Sequence, residues 1–317
     1  MSQPKTLQQA IKHFADPDNC IAFMVERRWP NGVTCPTCGR ADVRFISTRR
    51  MWECKEKHPK RQFSVKVGTI MEDSAIPLDK WLIAMWMLAN CKNGISSYEI
   101  ARALGITQKS AWFMLHRIRL AMHKEDLGQI GGRGKEVEVD QAFIGGAARF
   151  MHGDKRRRRI TETGSKDKTP IMGMLERGGE IRASVIPNCR KPILTAEIRR
   201  HIKAHSAIYT DALYAYNMLK HQNFEHQVVD HAERYVDGKV HTNGLENFWS
   251  LLKRQLKGTY ISVEEFHLFR YLDEQVLRYN LRELAHDGLR FQHVASNVIG
   301  KRLTYAEVTG KTTTTPN

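Results

Sequence analysis

Apolar positions recur along this chain with two different periods, and the change from one to the other divides it. In NGISSYEIARALGITQKSAWFMLHRIRLAM, residues 93–122, the spacing is helical. Ile100, Ala101 and Leu104 mark one apolar face, and Ala111, Met114, Leu115 and Ile118 mark a second. Ser96 or Ser97 can cap the first of these helices, Gly105 supplies a tight turn, and Thr107 can cap the next. From EVEVDQAFIGG onward, apolar residues alternate with polar ones, which predicts strands. IMGMLE, IRASVIP, AIYTDA and HQVVDH are four more short strands. Helices are predicted around ILTAEIRRHIKAH and YNMLKH, and a long one after Gly244 carries Leu245, Phe248, Trp249, Leu252 and Leu256 at helical spacing. Strands interleaved with helices predict an α/β domain.

The pattern also sets boundaries. Residues 1–30 read as a polar helical segment. Residues 31–70 hold short β-like runs, VRFIS and RQFSVKV, and residues 77–125 are helical. GQIGGRGKE, with four glycines in nine residues, breaks the helical pattern and opens the α/β domain, placed at 135–290. The span 262–290 reads as a further helix; residues 291–317 form an extension whose tail, TGKTTTTPN, is expected to be disordered.

Charge narrows the function classes. The 317 residues carry a formal net charge of +16, which calls for a polyanionic partner, nucleic acid by default. A membrane-surface role would need an amphipathic anchor or a long apolar run. The greasiest stretch, WLIAMWMLA at 81–89, is far short of a span, and the N-terminus lacks the apolar core of a signal peptide. A cytoplasmic protein is expected. In such a compartment six cysteines are not a disulfide framework, and three of them are clustered.

That cluster is CPTCG at 35–39 followed by WECKEKH at 52–58. A C-x-x-C turn can aim two thiolates at one ion, and Cys54 with His58 completes Cys3His, a closed set of the kind structural zinc takes. Cys35, Cys38, Cys54 and His58 are thus the expected zinc ligands of a ribbon too small to fold on an apolar core alone. The helix pair over 93–122 reads as a helix-turn-helix. Gln108, Lys109 and Ser110 at the start of its second helix are expected to meet base edges, and Arg117 and Arg119 on its exposed face to meet phosphates of double-stranded DNA.

Three acids lie at suggestive places. Asp140 ends an alternating strand and Asp211 ends AIYTDA; singly, Asp140 could begin a turn and Asp211 could cap the next helix. If neighbouring strands set them side by side and the last helix lowers Glu246 onto the same spot, three carboxylates converge. They then require a cation, and oxygen ligands select Mg2+ or Mn2+. Two such ions can activate a hydroxyl and stabilise a leaving oxygen in phosphodiester chemistry.

CPTCG, RQFSVKVGTIMEDSAIPLDKW, GISSYEIARALGITQKSAWFMLHRIRLAM, EVEVDQAFIGG, YTDALYAY and HTNGLENFWSLLKRQLKGTY occur in one order. In these motifs, from about residue 15 to 300, the chain resembles the zinc-ribbon DDE transposases of bacterial insertion sequences, the group related to Merlin elements. The resemblance implies an RNase H-like catalytic domain with Asp140 on the first strand, Asp211 on the fourth and Glu246 on the helix after the sheet. It also implies cleavage at terminal inverted repeats, transfer of 3′-hydroxyl ends into target DNA, and a homo-oligomer that handles two ends together. Some members carry asparagine in the third position, so Asn243 and Asn247 stand as alternatives to Glu246, which is preferred because a carboxylate holds a divalent cation better than an amide does. Lys253, two turns on, is expected near the same face, holding a phosphate or a terminal base. His241 is a candidate helper, and KRRRR at 155–159 is either a solvated loop or a DNA-backbone contact. Two rival functions stay open: a transcription regulator without catalysis, and a metal-dependent nuclease that cuts without joining.

Overall fold

The last long helix, β-rich middle and glycine-rich joint all take shape in the computed structural model. It describes residues 3–124, 128–145, 153–154, 157, 168–211, 223–229, 241–261 and 263–311, without the side chains of 211, 228 and 229. The helix expected around YNMLKH, most of the 155–159 basic run and residues 312–317 lie outside the described residues. Two compact units make up the chain, Met1–His123 together with Glu283–Asn317, and Lys124–Arg282.

In the first unit, the N-terminal segment forms α1 (Leu7–Phe14) and α2 (Pro17–Arg28). Thr6 accepts from the Gln9 amide and Asp16 from the Asp18 amide, so each helix starts on a side-chain cap. These helices are less polar in effect than in composition. Phe14 and Phe23 are buried and lie 5.1 Å apart, ring to ring. The ribbon is a three-stranded antiparallel sheet in the order β1 (Val43–Ile46), β2 (Met51–Cys54), β3 (Gln62–Phe63). Trp29, Trp52 and Phe63 close its small core.

WLIAMWMLA lies within α3 (Leu78–Asn90), a core helix that buries Trp81, Leu82, Met85, Trp86 and Leu88. Among the described residues no helix is long and apolar enough to cross a membrane. Helices α4 (Ser97–Leu104) and α5 (Gln108–Met122) follow. Ser96, rather than Ser97, is the cap, in a reciprocal box with Glu99. Gly105 turns the chain in the left-handed region at φ 59°.

In the second unit, five strands lie in the order β6-β5-β4-β7-β8. They are β4 (Glu136–Ile144), β5 (Thr169–Glu176), β6 (Ile181–Val185), β7 (Ala207–Asp211) and β8 (Glu225–Val229). The first three form an antiparallel meander; β7 is parallel to β4, and β8 is parallel to β7. Helix α6 (Lys191–His201) covers one face, where Leu194, Ile198 and Ile202 meet Val137, Val139, Met172, Met174 and Ile208. Helices α7 (Asn243–Gln255) and α8 (Leu268–Asn280) belong to the other core, with Ala142, Ile171, Leu175 and Ile181. A mixed sheet between two helical layers is therefore the architecture, as the alternating strands imply.

Two boundaries move. The helix read over 262–290 stops at Asn280, and Glu283 onward belongs to the first unit. The reason lies in α9 (Asp287–Ser296), whose Phe291 sits 5.3 Å from Phe23 and 5.1 Å from Trp86, inside the N-terminal aromatic core. A short helix, α10 (Tyr305–Val308), follows. Asp140 is also not a strand end. Strand β4 runs four residues further to Ile144, because β5 pairs with it along that length, Asp140 facing Gly173.

Candidate functional site

The ribbon brings its four expected ligands together. Their ligating atoms all lie within 4.8 Å of one another, and among the described residues this is the group of metal-ligating side chains close enough to share an ion. Cys35 Sγ stands 3.4 Å from His58 Nε2, and Cys38 Sγ 3.6 Å from Cys54 Sγ. A tetrahedron with Zn–S bonds of about 2.3 Å has edges of roughly 3.8 Å, so the set is close to the size zinc needs. His58 is also oriented. A carbonyl can only accept, so Nδ1–H donates to Pro59 O at 2.7 Å and Nε2 is left to face the thiols.

The thiols differ in kind. Burial works against the Cys35 thiolate, but the amides of Cys38 and Thr37 and the neighbouring thiols outweigh it and bring the group down to about 6. The isolated Cys20, buried and near Asp79 and Asp16, is pushed up to about 12. One is prepared to be a ligand, and the other packs as an apolar side chain.

The helix pair corrects one expectation. Arg117 and Arg119 are not on the exposed face of α5; they are 7% and 1% exposed. Arg117 donates to the carbonyls of Leu303, Ile70 and Glu72 at 2.9, 3.1 and 2.8 Å. Helical spacing cannot separate a charged residue on the wet face from one used to satisfy buried carbonyls, because guanidinium serves both. Of the other three, Gln108 donates to Ser97 Oγ and Ser110 is tied to the Thr107 cap. Lys109 is exposed, its ammonium 4.8 Å from the centre of the Tyr305 ring.

In the second unit the acids are placed by the sheet and by α7. Parallel pairing of β4 with β7 runs from Glu136 opposite Ala207 to Val139 opposite Thr210. One further step in the same register brings position 140 beside position 211, where β7 ends. Trp249 Nε1–H donates to Asp140 Oδ2 at 2.9 Å, and the Gln141 amide donates to Oδ1 at 2.7 Å. Trp249, expected as core, is buried and also holds this carboxylate. Gly173 makes the contact sterically feasible: a Cβ there would come within 2.7 Å of the Trp249 ring and 2.9 Å of Leu245. Gly244 is equally constrained, since a Cβ would fall 2.5 Å from Leu175 Cδ2 and 2.8 Å from Glu138 Oε2.

On α7, Leu245, Phe248, Trp249 and Leu252 are buried, while Asn243, Glu246, Asn247 and Lys253 are all exposed. At 3.6 residues per turn, Lys253 stands about 40° and Glu246 about 60° around the helix from Trp249, on the same side. Asn243 stands about 120° away and Asn247 about 160°.

The sequence reading passed over Glu138. It shares the strand face of Asp140 and is 2% exposed. Its Oε2 accepts the Leu245 amide at 3.0 Å, capping α7 from a neighbouring strand. Its Oε1 accepts from Arg177 Nε at 3.0 Å. The signal was available as the alternation Glu136, Glu138, Asp140 in EVEVDQ. His241 lies against this pair: Arg177 donates to its Nδ1 at 3.0 Å and to its carbonyl at 2.8 Å. Because Arg177 can only donate, Nδ1 accepts, and its 3.4 Å approach to Glu138 is a contact without a shared proton.

A Cys3His ribbon in one unit and a mixed sheet in the other are the parts that the resemblance to insertion-sequence transposases implies, and sequence comparison bears on that class directly. Residues 130–280 match the ISXO2-like transposase domain, and residues 15–56 match the transposase zinc-ribbon domain. An uncharacterized protein in transposable element ISH50 of Halobacterium salinarum is 28% identical over 261 residues, 78% of this chain and 85% of the relative. An uncharacterized transposase-like protein of Haemophilus influenzae is 31% identical over 100 residues, 32% of this chain and 80% of the relative. The chain belongs to this family of zinc-ribbon, ISXO2-like transposases.

Proposed function

We propose that the protein is a DNA transposase that binds terminal inverted repeats, cuts phosphodiesters with Mg2+ or Mn2+, and joins the 3′-hydroxyl ends to target DNA. The observation that carries this reading is the seating of Glu246: it lies on the first turn of a helix whose Trp249 holds Asp140, and Asp140 is one register step from the end of β7. The strand order, β6-β5-β4-β7-β8, supports the reading of this unit as an RNase H-like domain. Its connections part between β4 and β7, the switch point where open α/β sheets place ligands.

Asp140, Asp211 and Glu246 would hold the catalytic ions. Helical angle favours Glu246 over Asn243 and Asn247 as the third ligand, because it stands nearer to the side chain that touches Asp140. The ions would supply a strong nucleophile and neutralise the leaving oxygen. Trp249 bonds Asp140, and Lys253, exposed on the same side of the helix as Glu246, would grip a phosphate. Zinc on Cys35, Cys38, Cys54 and His58 would hold the ribbon. Lys109 remains the residue of the helix pair suited to meet DNA, and the enzyme would act as an oligomer on paired ends.

One assay decides among the readings: purified protein, Mg2+ or Mn2+, linear DNA bearing the element's ends, and a target plasmid. Joined product supports transposition, cleavage alone a nuclease, and binding alone a regulator. Full cleavage by Asp140→Asn or Glu246→Gln removes the assigned metal site.

A further inference from the structure

One guanidinium touches two of the elements that carry the three acids and the residue that leads into the third. Arg177 follows β5 and is 19% exposed at its side chain. Its Nε donates to Glu138 and its Nη1 to Glu136 Oε2 at 3.0 Å, both on β4. Its Nη2 reaches His241, at the entrance to α7. Its face lies 4.4 Å from the ring centre of Tyr209 on β7, and the Tyr209 hydroxyl donates to Glu136 Oε1 at 3.1 Å. The contact points bear a fixed relation to the acids. Glu138 stands two residues before Asp140 and Tyr209 two before Asp211, opposite each other in the sheet. Leu245, whose amide Glu138 caps, immediately precedes Glu246.

We propose that Glu138, Arg177 and His241 form a brace that sets the spacing of the three metal-binding acids, with Glu138 and Arg177 as positioning residues of the site. The proposal rests on the assignment of Asp140, Asp211 and Glu246 as metal ligands. The chemistry of the brace suits that task. A carboxylate on an N-terminal turn meets both an unpaired amide and the positive end of the helix. The forked, always charged guanidinium holds several acceptors in one plane, which lysine cannot do. The brace itself stands outside the metal shell: both Glu138 oxygens are occupied, one by Arg177 and one by the helix. Its effect on the ions is therefore through Glu246 and the two strands.

The test uses the full, zinc-loaded chain. Mn2+ binding is measured by titration calorimetry, cleavage by single-turnover kinetics on end-bearing DNA, and folding by thermal unfolding. Arg177→Lys and Glu138→Gln are expected to weaken Mn2+ affinity about tenfold and slow cleavage 10- to 100-fold, as loss of outer-shell partners does. End binding should stay unchanged, and raised Mn2+ should recover part of the rate. Arg177→Lys combined with Glu246→Gln should weaken Mn2+ binding by less than the product of the two single effects, since the brace acts in part through Glu246. Folded Arg177→Lys and Glu138→Gln proteins with unchanged Mn2+ affinity and rate overturn the brace, while loss in Glu246→Gln leaves the site reading standing. If Glu246→Gln itself changes neither quantity, the site reading falls instead. If Glu138→Gln does not fold, Arg177→Lys and His241→Ala, at less buried positions, decide. Unfolding of all three assigns the network to stability alone and overturns the proposal.

Discussion

The ribbon's metal set and the acids of the mixed sheet are built in opposite ways. Cys35, Cys38, Cys54 and His58 come from one short stretch, and their ligating atoms stand within 4.8 Å before any distant segment is involved. Even the orienting acceptor for His58 is the adjacent Pro59 carbonyl. Asp140 and Glu246 come from β4 and α7, and the groups around them are just as dispersed: Trp249 bonds Asp140, Glu138 caps α7, and Arg177 bonds Glu138. A closed local set suits an ion that must only hold the chain. The proposed set of acids, spread over a sheet and a helix, would suit ions that exchange ligands with a substrate, and would need a scaffold to fix its spacing.

The contrast can be broken experimentally. The largest effect is expected from Asp140→Asn, on the order of a thousandfold in end cleavage with folding and end binding intact. An equal loss of stability would make Asp140 structural and end the contrast. Chelation of zinc, or Cys38→Ser, should unfold the ribbon while the fold of residues 124–282 persists, read by limited proteolysis; structural zinc contributes folding energy of several kcal/mol or more. Protection of residues 31–70 without metal would count against the zinc assignment.

Arg117→Ala should cost about 2–3 kcal/mol in chemical unfolding, since two buried carbonyls and a partly buried one lose their donor. Lys109→Ala should leave stability alone and weaken DNA binding, with a salt slope lowered by about one. The reverse result would restore the exposed-face reading of Arg117. Gly173→Ala should cost about 1–3 kcal/mol by forcing Trp249 away, and cleavage should fall with it. Unchanged cleavage would mean that the tryptophan does not place Asp140.

The smallest effect concerns Glu197. The neighbouring His201 ring first, 3.6 Å away, and the Ser184 hydroxyl that donates to Glu197 as well, hold this carboxyl below the usual glutamate value despite its burial. A lowered folded value gives stability that is present above the unfolded value, near 4.3, and lost as pH falls through the folded one. Glu197→Gln should flatten that acid limb in unfolding measured between pH 3 and 6; an unaltered limb would free Glu197 of any role there.

Legibility followed the same division. Ligand type and spacing sufficed for the ribbon, since the ligands lie close in sequence. Alternation sufficed for β4 and β5, and helical spacing for the buried face of α7, because one face of each meets a core. Arg117 and Glu138 were misread or passed over, and for one reason: the spacing of a charged side chain does not report what it meets. Arg117 points inward to carbonyls, and Glu138 points to a helix that begins more than a hundred residues later.

From the residues alone, the zinc ligands, the strands and helices, and the three acids as candidates followed, because each depends on local spacing and chemical type. The tertiary structure alone decided that β7 returns beside β4, that Gly173 and Gly244 let α7 settle on the sheet, and that one arginine ties these elements together. Those depend on contacts between segments far apart in the chain, where close packing and paired buried charge select a single arrangement.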